Sequence, residues 1–449
     1  MRVIGELRRL LALPGFRKLF LVRLISQCSD GMFQVGLATL LFFSPESMGT
    51  AREIAAGFVV MLAPFTIVGP FAGVLLDRWR RRSVLLWGNV IRAFVVIAMG
   101  LALWLLGSGI VVQILGLLAL SINRFLLAGL SAGLPNVLAT ADDDGSDLLL
   151  TANSLVPTLG AGAAFVGGAI GFLFTLLHLG AFQDSAVLFA AALTMILASL
   201  ATLRLGRSEL GPTSFPTTKI RDDIATVARD LGAGARYLAA RLTPGQALLA
   251  TAAHRFLYGL VFIAAILMSR NILAVPGDTA AGLGNFAVIM GLIGAGGAIA
   301  VVITPILSRN MGSQTWVGLM FLLAALSQVL LAISATRLMV FASALLLGVA
   351  AQASKIAIDT IIQRDTIDAY RGRAFAFYDV IFNAAFVAAA LLAAFIVPDN
   401  GWARRLFVGI AIAYVIVALA MLLKAARNPR ELSGAGVPGF CDPAAQAAE

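Results

Sequence analysis

Charge is what this 449-residue chain has least of: Asp, Glu, Lys and Arg together make up 12% of it. A soluble domain carries about twice that share, so a single water-facing globule is excluded. Cysteine and histidine are almost missing, with two of each. Cys28 lies inside an apolar run and Cys441 near the C-terminus, so they fall in different environments and build no disulfide framework. His178 and His254 sit in separate runs, which leaves no histidine cluster for a metal and no histidine-based triad. No phosphate-binding Gly-x-x-x-x-Gly-Lys-Ser/Thr loop occurs, so ATP is not the energy source. "GLGNFAVIMGLIGAGG", residues 282–297, is rich in glycine but lies inside an apolar run rather than in a strand–turn–helix unit. These absences argue against an enzyme and against any bound cofactor or metal.

What is abundant is hydrocarbon. Sixty per cent of the residues are hydrophobic and the mean hydropathy is +0.94. The apolar residues come in runs of twenty or more. A run of that length matches the roughly 30 Å of bilayer core at about 1.5 Å per helical residue. Lipid offers the backbone no hydrogen bonds, so such runs must be helices. Twelve spans are predicted, at 19–43, 53–76, 83–106, 109–134, 148–178, 183–205, 247–271, 280–307, 315–334, 337–361, 374–397 and 402–424. The fifth and eighth are long enough to tilt. The first run is too long for a cleaved signal peptide, and Arg23, Gln27 and Asp30 would spoil its apolar core.

The sequence pI near 10.4 reports topology rather than a nucleic-acid partner. With the N-terminus inside, the inner segments collect Arg2, Arg8, Arg9, Arg17 and Lys18, the Arg78–Arg82 cluster, and the basic residues of 204–241. They also hold Arg309, Arg364, Arg371, Arg373, Lys424, Arg427 and Arg430. The outer segments keep only Arg52, Arg270, Arg337, Arg404 and Arg405. Such a bias places both termini in the cytoplasm.

The longest polar interruption, 206–246, divides the spans six and six. After the breaker-rich "GRSELGPTSFPTT" it continues with Ile220, Ile224, Val227, Leu231, Tyr237 and Leu238 at helical spacing, opposite Arg and Asp. This predicts an amphipathic helix on the cytoplasmic surface, weakened by Gly232 and Gly234, with a plain linker as the alternative. The domains expected are a six-helix bundle at 1–205, the linker at 206–246, a second bundle at 247–424 and a disordered tail at 425–449. The halves echo each other loosely: Asp77-Arg78 after span two answers Ser308-Arg309 after span eight, and Arg124 in span four answers Lys355 in span ten. Two similar halves are the mark of a transporter that rocks about a central site.

Span two ends in "GVLLDRWRRR". Its Gly73, Asp77, Arg78, Arg81 and Arg82 follow the Gly-x-x-x-Asp-Arg-x-Gly-Arg-Arg pattern, with Arg80 in place of the second glycine. With twelve spans and a cytoplasmic middle loop, the chain resembles the major facilitator superfamily (MFS). "DRWRRR" followed by Asn89 and Arg92, together with "LLLTANSL", "RDLGAGARYL" and "YRGRAFAFYDVIFN", is similar to its macrolide-efflux and enterobactin-exporter-like branch. The resemblance implies an all-α fold of two pseudo-symmetric bundles and a cytoplasmic gate. In that gate Asp77 faces the start of span eleven, and the arginines pair with acids such as Asp142, Asp143, Asp144 and Asp147. Arg92 is expected as a strut beneath it. The alternative is that these arginines only set topology and touch anionic lipid.

Arg23, Gln27, Asp30 and Gln34 recur at spacings of four, three and four, which puts them on one face of span one. A charge in mid-bilayer costs at least about 2.5–3.5 kcal/mol, so the stripe should face a watery cavity or partner helices. Asp30 and Arg124 lie at similar depth, about 15–17 Å from the cytoplasmic ends of their spans, which permits an ion pair. A carboxylate whose partner comes and goes suits a proton carrier; a purely structural pair is the other reading. In relatives, the resemblance adds, an arginine with a glycine five residues on in span four is linked to proton coupling, and Arg124 with Gly129 fits. Lys355 and Asp359, four apart in span ten, either neutralise each other or offer the lysine to an anionic substrate. His254 and Arg255 are expected near the cytoplasmic face. Span five keeps Gly167 and Gly171 of the antiporter pattern Gly-Pro-x-x-Gly-Gly but has Gly168 and Phe172 at its other positions, which weakens the case for antiport. Gly160 and Gly162 keep that helix slim for close packing.

Together these features predict a monomeric, proton-coupled exporter of an amphipathic or hydrophobic small molecule. A lipid or lysolipid flipping facilitator is the alternative, and a transport-inactive sensor or assembly partner a third.

Overall fold

The computed structural model describes residues 8–40, 50–52, 54, 57, 76, 78–107, 109–138, 145–175, 182–211, 220–240, 242–275, 278–308, 311–366 and 368–427. In chain order its long helices are α1 (Pro14–Ala38), α2 (Arg81–Leu106), α3 (Ile110–Leu138), α4 (Gly145–Thr175), α5 (Gln183–Thr202) and α6 (Ile220–Ala240). They continue as α7 (Leu242–Asn271), α8 (Thr279–Leu307), α9 (Ser313–Ile333), α10 (Arg337–Asp365), α11 (Asp368–Ile396) and α12 (Arg404–Arg427). No strand occurs among the described residues.

A helix stands at every predicted span except 53–76, nearly all of which lies outside the described residues. Nine of the described helices, α2, α3, α5 and α7–α12, are long and apolar enough to cross a membrane. In α1 the basic end and the polar stripe interrupt the apolar run, and α4 holds a shorter apolar stretch, Leu159–Phe174. Local chemistry sets the ends. Pro14 opens α1, where its missing N–H costs nothing. Gly107, at φ +75°, stops α2 in a conformation that side chains disfavour. The expected amphipathic helix forms as α6, running through Gly232 and Gly234. The tail from 428 onward lies outside the described residues.

The chain forms two compact units. One takes in residues 1–235, 258–286 and 376–402; the other 236–257, 287–375 and 403–449. In the first, α1 packs on α3, α4 and α5, and α2 packs on α3 and α5. Its core near the predicted cytoplasmic end joins Phe16, Leu19, Val22, Leu85, Leu130 and Leu210. The α1–α4 crossing is the closest contact there: a Cβ on Gly31 would strike the Ala164 carbonyl, and one on Gly167 would strike that of Cys28. Gly171 meets Met32 in the same seam, whereas Gly162 faces open space, so only part of the glycine set expected to serve packing does so. In the second unit α9 packs on both α10 and α12, and α8 meets α10 backbone to backbone at Gly296 and Gly348.

Candidate functional site

The α1–α4 seam fixes the rotation of α1, and with it the direction of Asp30, the residue before Gly31. Asp30 points away from the seam and forms an ion pair with Arg92 of α2. Arg92 Nη1 also donates to Asn123 Oδ1 of α3 at 3.0 Å. The guanidinium lies 5.4 Å from the centroid of the Phe33 ring, one turn along α1. Arg92 and Asp30 are 0% and 1% exposed. Asn89, one turn before Arg92, donates to the Leu85 carbonyl at 2.8 Å and is itself buried. Three helices thus meet at one buried charge pair with an amide beside it.

This corrects the expected partner of Asp30. Arg124 does not make the pair, although its depth permits it. Successive residues on a helix are turned by about 100°, so with Asn123 directed at Arg92 and Asp30, Arg124 faces elsewhere. It is half-buried, and the charge it feels is that of Asp379 on α11, within the same unit. Arg92 was expected as a strut, and its partners on α1 and α3 are now defined. It stands eleven residues into α2, about 16 Å beyond the Arg78–Arg82 cluster, where it ties α2 to α1 and α3 as an interhelical strut.

The rest of the α1 stripe divides. Arg23 is buried, reaches Ser131 Oγ at 3.5 Å and abuts Gly160 of α4. Gln27 is half-buried beside the same glycine, and Gln34 is exposed.

At the other end of α2 the arginines find partners that sequence spacing did not indicate. Arg78 pairs with Asp223 of α6 at 2.5 Å. Arg81 donates to the carbonyls of Ala132 at 2.9 Å and Leu210 at 3.2 Å, and Arg82 to that of Leu203 at 3.3 Å. Of these acceptors Leu203 is the C-cap of α5, where unsatisfied carbonyls and a partial negative charge attract a guanidinium group. Residues 203–211 are held from several sides: Asn136 donates to the Leu210 carbonyl, Lys18 pairs with Glu209 at 3.6 Å, and the Leu210 side chain is fully buried. Gly73, Asp77, Asp142, Asp143 and Asp144 lie outside the described residues, as does the side chain of Asp147. Arg81→Ala is expected to loosen this segment and to speed tryptic cleavage at the exposed Arg204 and Arg207 by about tenfold, read on SDS gels. An unchanged cleavage rate would show that Arg81 does not hold the segment.

In the second unit Lys355 Nζ lies 2.6 Å from Asp359 on the same face of α10, matching the local-pair reading. His254 departs from expectation. Because α7 begins at Leu242, His254 is twelve residues into the helix and buried, not at its end. Its ring stacks on Phe321 at 5.6 Å, and Nδ1 meets the Tyr414 hydroxyl at 3.2 Å. Tyr414, Asp223, Asn123 and Asp379 were not singled out from the sequence. The only signal for Asn123 was an amide inside an apolar run. Among the described residues no group of three or more His, Cys, Asp or Glu is placed to hold a metal.

The geometry is that of a helical membrane protein with ionic groups deep inside, and sequence relatives decide the family. Two uncharacterised MFS-type transporters, one of Mycobacterium bovis and one of Mycobacterium tuberculosis, are each 34% identical to this chain over 398 residues, 88% of either length. The chain belongs to the major facilitator superfamily. It is a multi-pass membrane transporter and not an enzyme. No family model matches it. Among solved structures, the MFS chain is similar to a peptide transporter, POT, in complex with alafosfalin. The TM-score is 0.67 at 14% identity, covering 92% of this chain and 96% of that one, and the likeness is one of fold.

Proposed function

We propose that this MFS transporter exports an amphipathic or hydrophobic small molecule from a bacterial cytoplasm against inward protons, by alternating access. Twelve spans in two bundles, 1–205 and 247–424, joined by the 206–246 linker and followed by a 425–449 tail, complete the reading. Both termini are cytoplasmic and the unit is a monomer in the inner membrane.

The observation that carries it is the buried Asp30–Arg92–Asn123 cluster. A paired carboxylate and guanidinium in a dry site are tolerable together and costly apart. A proton arriving at Asp30 removes one charge and leaves Arg92 uncompensated, so the protonated form favours an arrangement in which Arg92 reaches water or another acceptor. That difference in preference between two states is what a coupling ion must supply. Arg23, Gln27 and Gln34 on the same helix, with Arg124, Lys355 and Asp359, would form the polar points of a pathway that is otherwise apolar. Arg78, Arg81 and Arg82, with Gly73 and Asp77, would serve the gate. Such contacts must be individually modest for the gate to open.

Asp30→Asn keeps the shape and removes the titration. Efflux driven by a proton gradient in inverted vesicles is expected to fall at least tenfold, with facilitated exchange of the same substrate retained. Undiminished gradient-driven efflux would remove Asp30 from the coupling.

A further inference from the structure

The second unit carries an apolar groove of about 770 Å³ between α9 and α12. Leu326, Val329 and Ile333 form one wall and Val408, Ile412 and Ile416 the other, and all six are exposed at the surface. Both helices are long and apolar enough to cross the membrane, so the groove opens toward hydrocarbon. It has one charged residue in its lining, and only at one end: Arg404, the first residue of α12. Arg404 Nε donates to the Ala332 carbonyl at 3.1 Å, which holds the guanidinium at the groove's mouth. That bond uses one of its five donors. Arg405 is exposed beside it.

Length argues for the occupant. From Arg404 to Ile416 is about 18 Å along the helix, close to half of the roughly 30 Å hydrocarbon core. The groove therefore runs from the membrane interface to about the midplane, the reach of an acyl chain in one leaflet. Charge argues for the headgroup: the Arg404 guanidinium at the groove's mouth favours a phosphate, which accepts from Arg in a forked geometry, and the exposed Arg405, next in sequence, adds positive charge at the same helix end.

We propose that this groove is a binding site for an anionic phospholipid, with one acyl chain between α9 and α12 and the phosphate at Arg404 and Arg405. The lipid acts as a fixed partner of the second unit rather than as cargo, and the site stands independently of the Asp30 coupling.

Native mass spectrometry of the full chain, released from nanodiscs of equal parts phosphatidylglycerol and phosphatidylcholine with matched chains, tests this. The wild type is expected to retain phosphatidylglycerol in preference. Arg405→Ala, which leaves the Arg404–Ala332 bond in place, is expected to reduce that preference severalfold, and Arg404→Ala/Arg405→Ala by about tenfold. Ala411→Trp, which fills the groove floor, is expected to lower retention of both lipids, and Leu423→Trp, outside the groove, to leave both unchanged. No preference in the wild type, or a preference that survives the double substitution, would overturn the headgroup assignment. Equal retention by Ala411→Trp and Leu423→Trp would overturn the groove, and oleate displacing phosphatidylglycerol would assign the site to a fatty acid instead.

Discussion

Arg92→Met is expected to cost about 3–5 kcal/mol of folding stability, because it strands the Asp30 carboxylate in a dry site without its partner. The pair is buried to within 1% of complete exclusion, and Asn123 alone cannot replace a cation. SDS unfolding followed by circular dichroism measures the loss. The double variant Asp30→Asn/Arg92→Met removes both charges and is expected to recover most of it, since neutral groups of similar size are cheaper to bury than one unpaired ion. Gradient-driven transport should not return with the stability. A single variant as stable as the wild type would mean that Asp30 takes another partner when Arg92 is gone. Recovery of transport in the double variant would mean that the pair is scaffolding alone.

Gly167→Leu is expected to cost about 3 kcal/mol or more, or to leave no folded protein. Its first added carbon falls on the Cys28 carbonyl, which belongs to backbone and cannot swing aside. At Gly162 on the same helix, which is exposed, an added Cβ meets nothing within 4 Å, so Gly162→Leu should cost no more than about 0.5 kcal/mol. The comparison separates sterics from helix propensity, because both substitutions improve propensity equally. Monodisperse yield after extraction and the SDS unfolding midpoint report the difference. Equal loss in both variants would remove the seam from the account. The seam bears on function because it orients α1: if it opens, Asp30 no longer points at Arg92.

Most helices could be read in advance because lipid leaves the backbone one solution, and a run of apolar residues states its length openly. The predicted spans 83–106, 183–205 and 337–361 fall on α2, α5 and α10. Errors collected where amphipathic and apolar segments adjoin. Span seven was expected to begin at 247, but α7 begins at Leu242, which moved His254 from a helix end into the aromatic contacts of Phe321 and Tyr414. The i, i+4 pair Lys355–Asp359 was legible for the same reason as the helices: both members lie on one element, whose geometry is known.

Sequence alone determined that this chain enters a membrane as helices, that the α1 stripe holding Asp30 must face water or partner helices, and that relatives at 34% identity are recognisable. Tertiary structure alone decided which partner Asp30 takes. Asp30 could have met any cation at its depth. The choice of Arg92 over Arg124 follows from the rotation of α1 against α4 and of α3 about its own axis, and a difference of one residue, Asn123 against Arg124, turns a side chain by about 100°. Depth follows from counting along one helix, whereas direction depends on how several helices pack together.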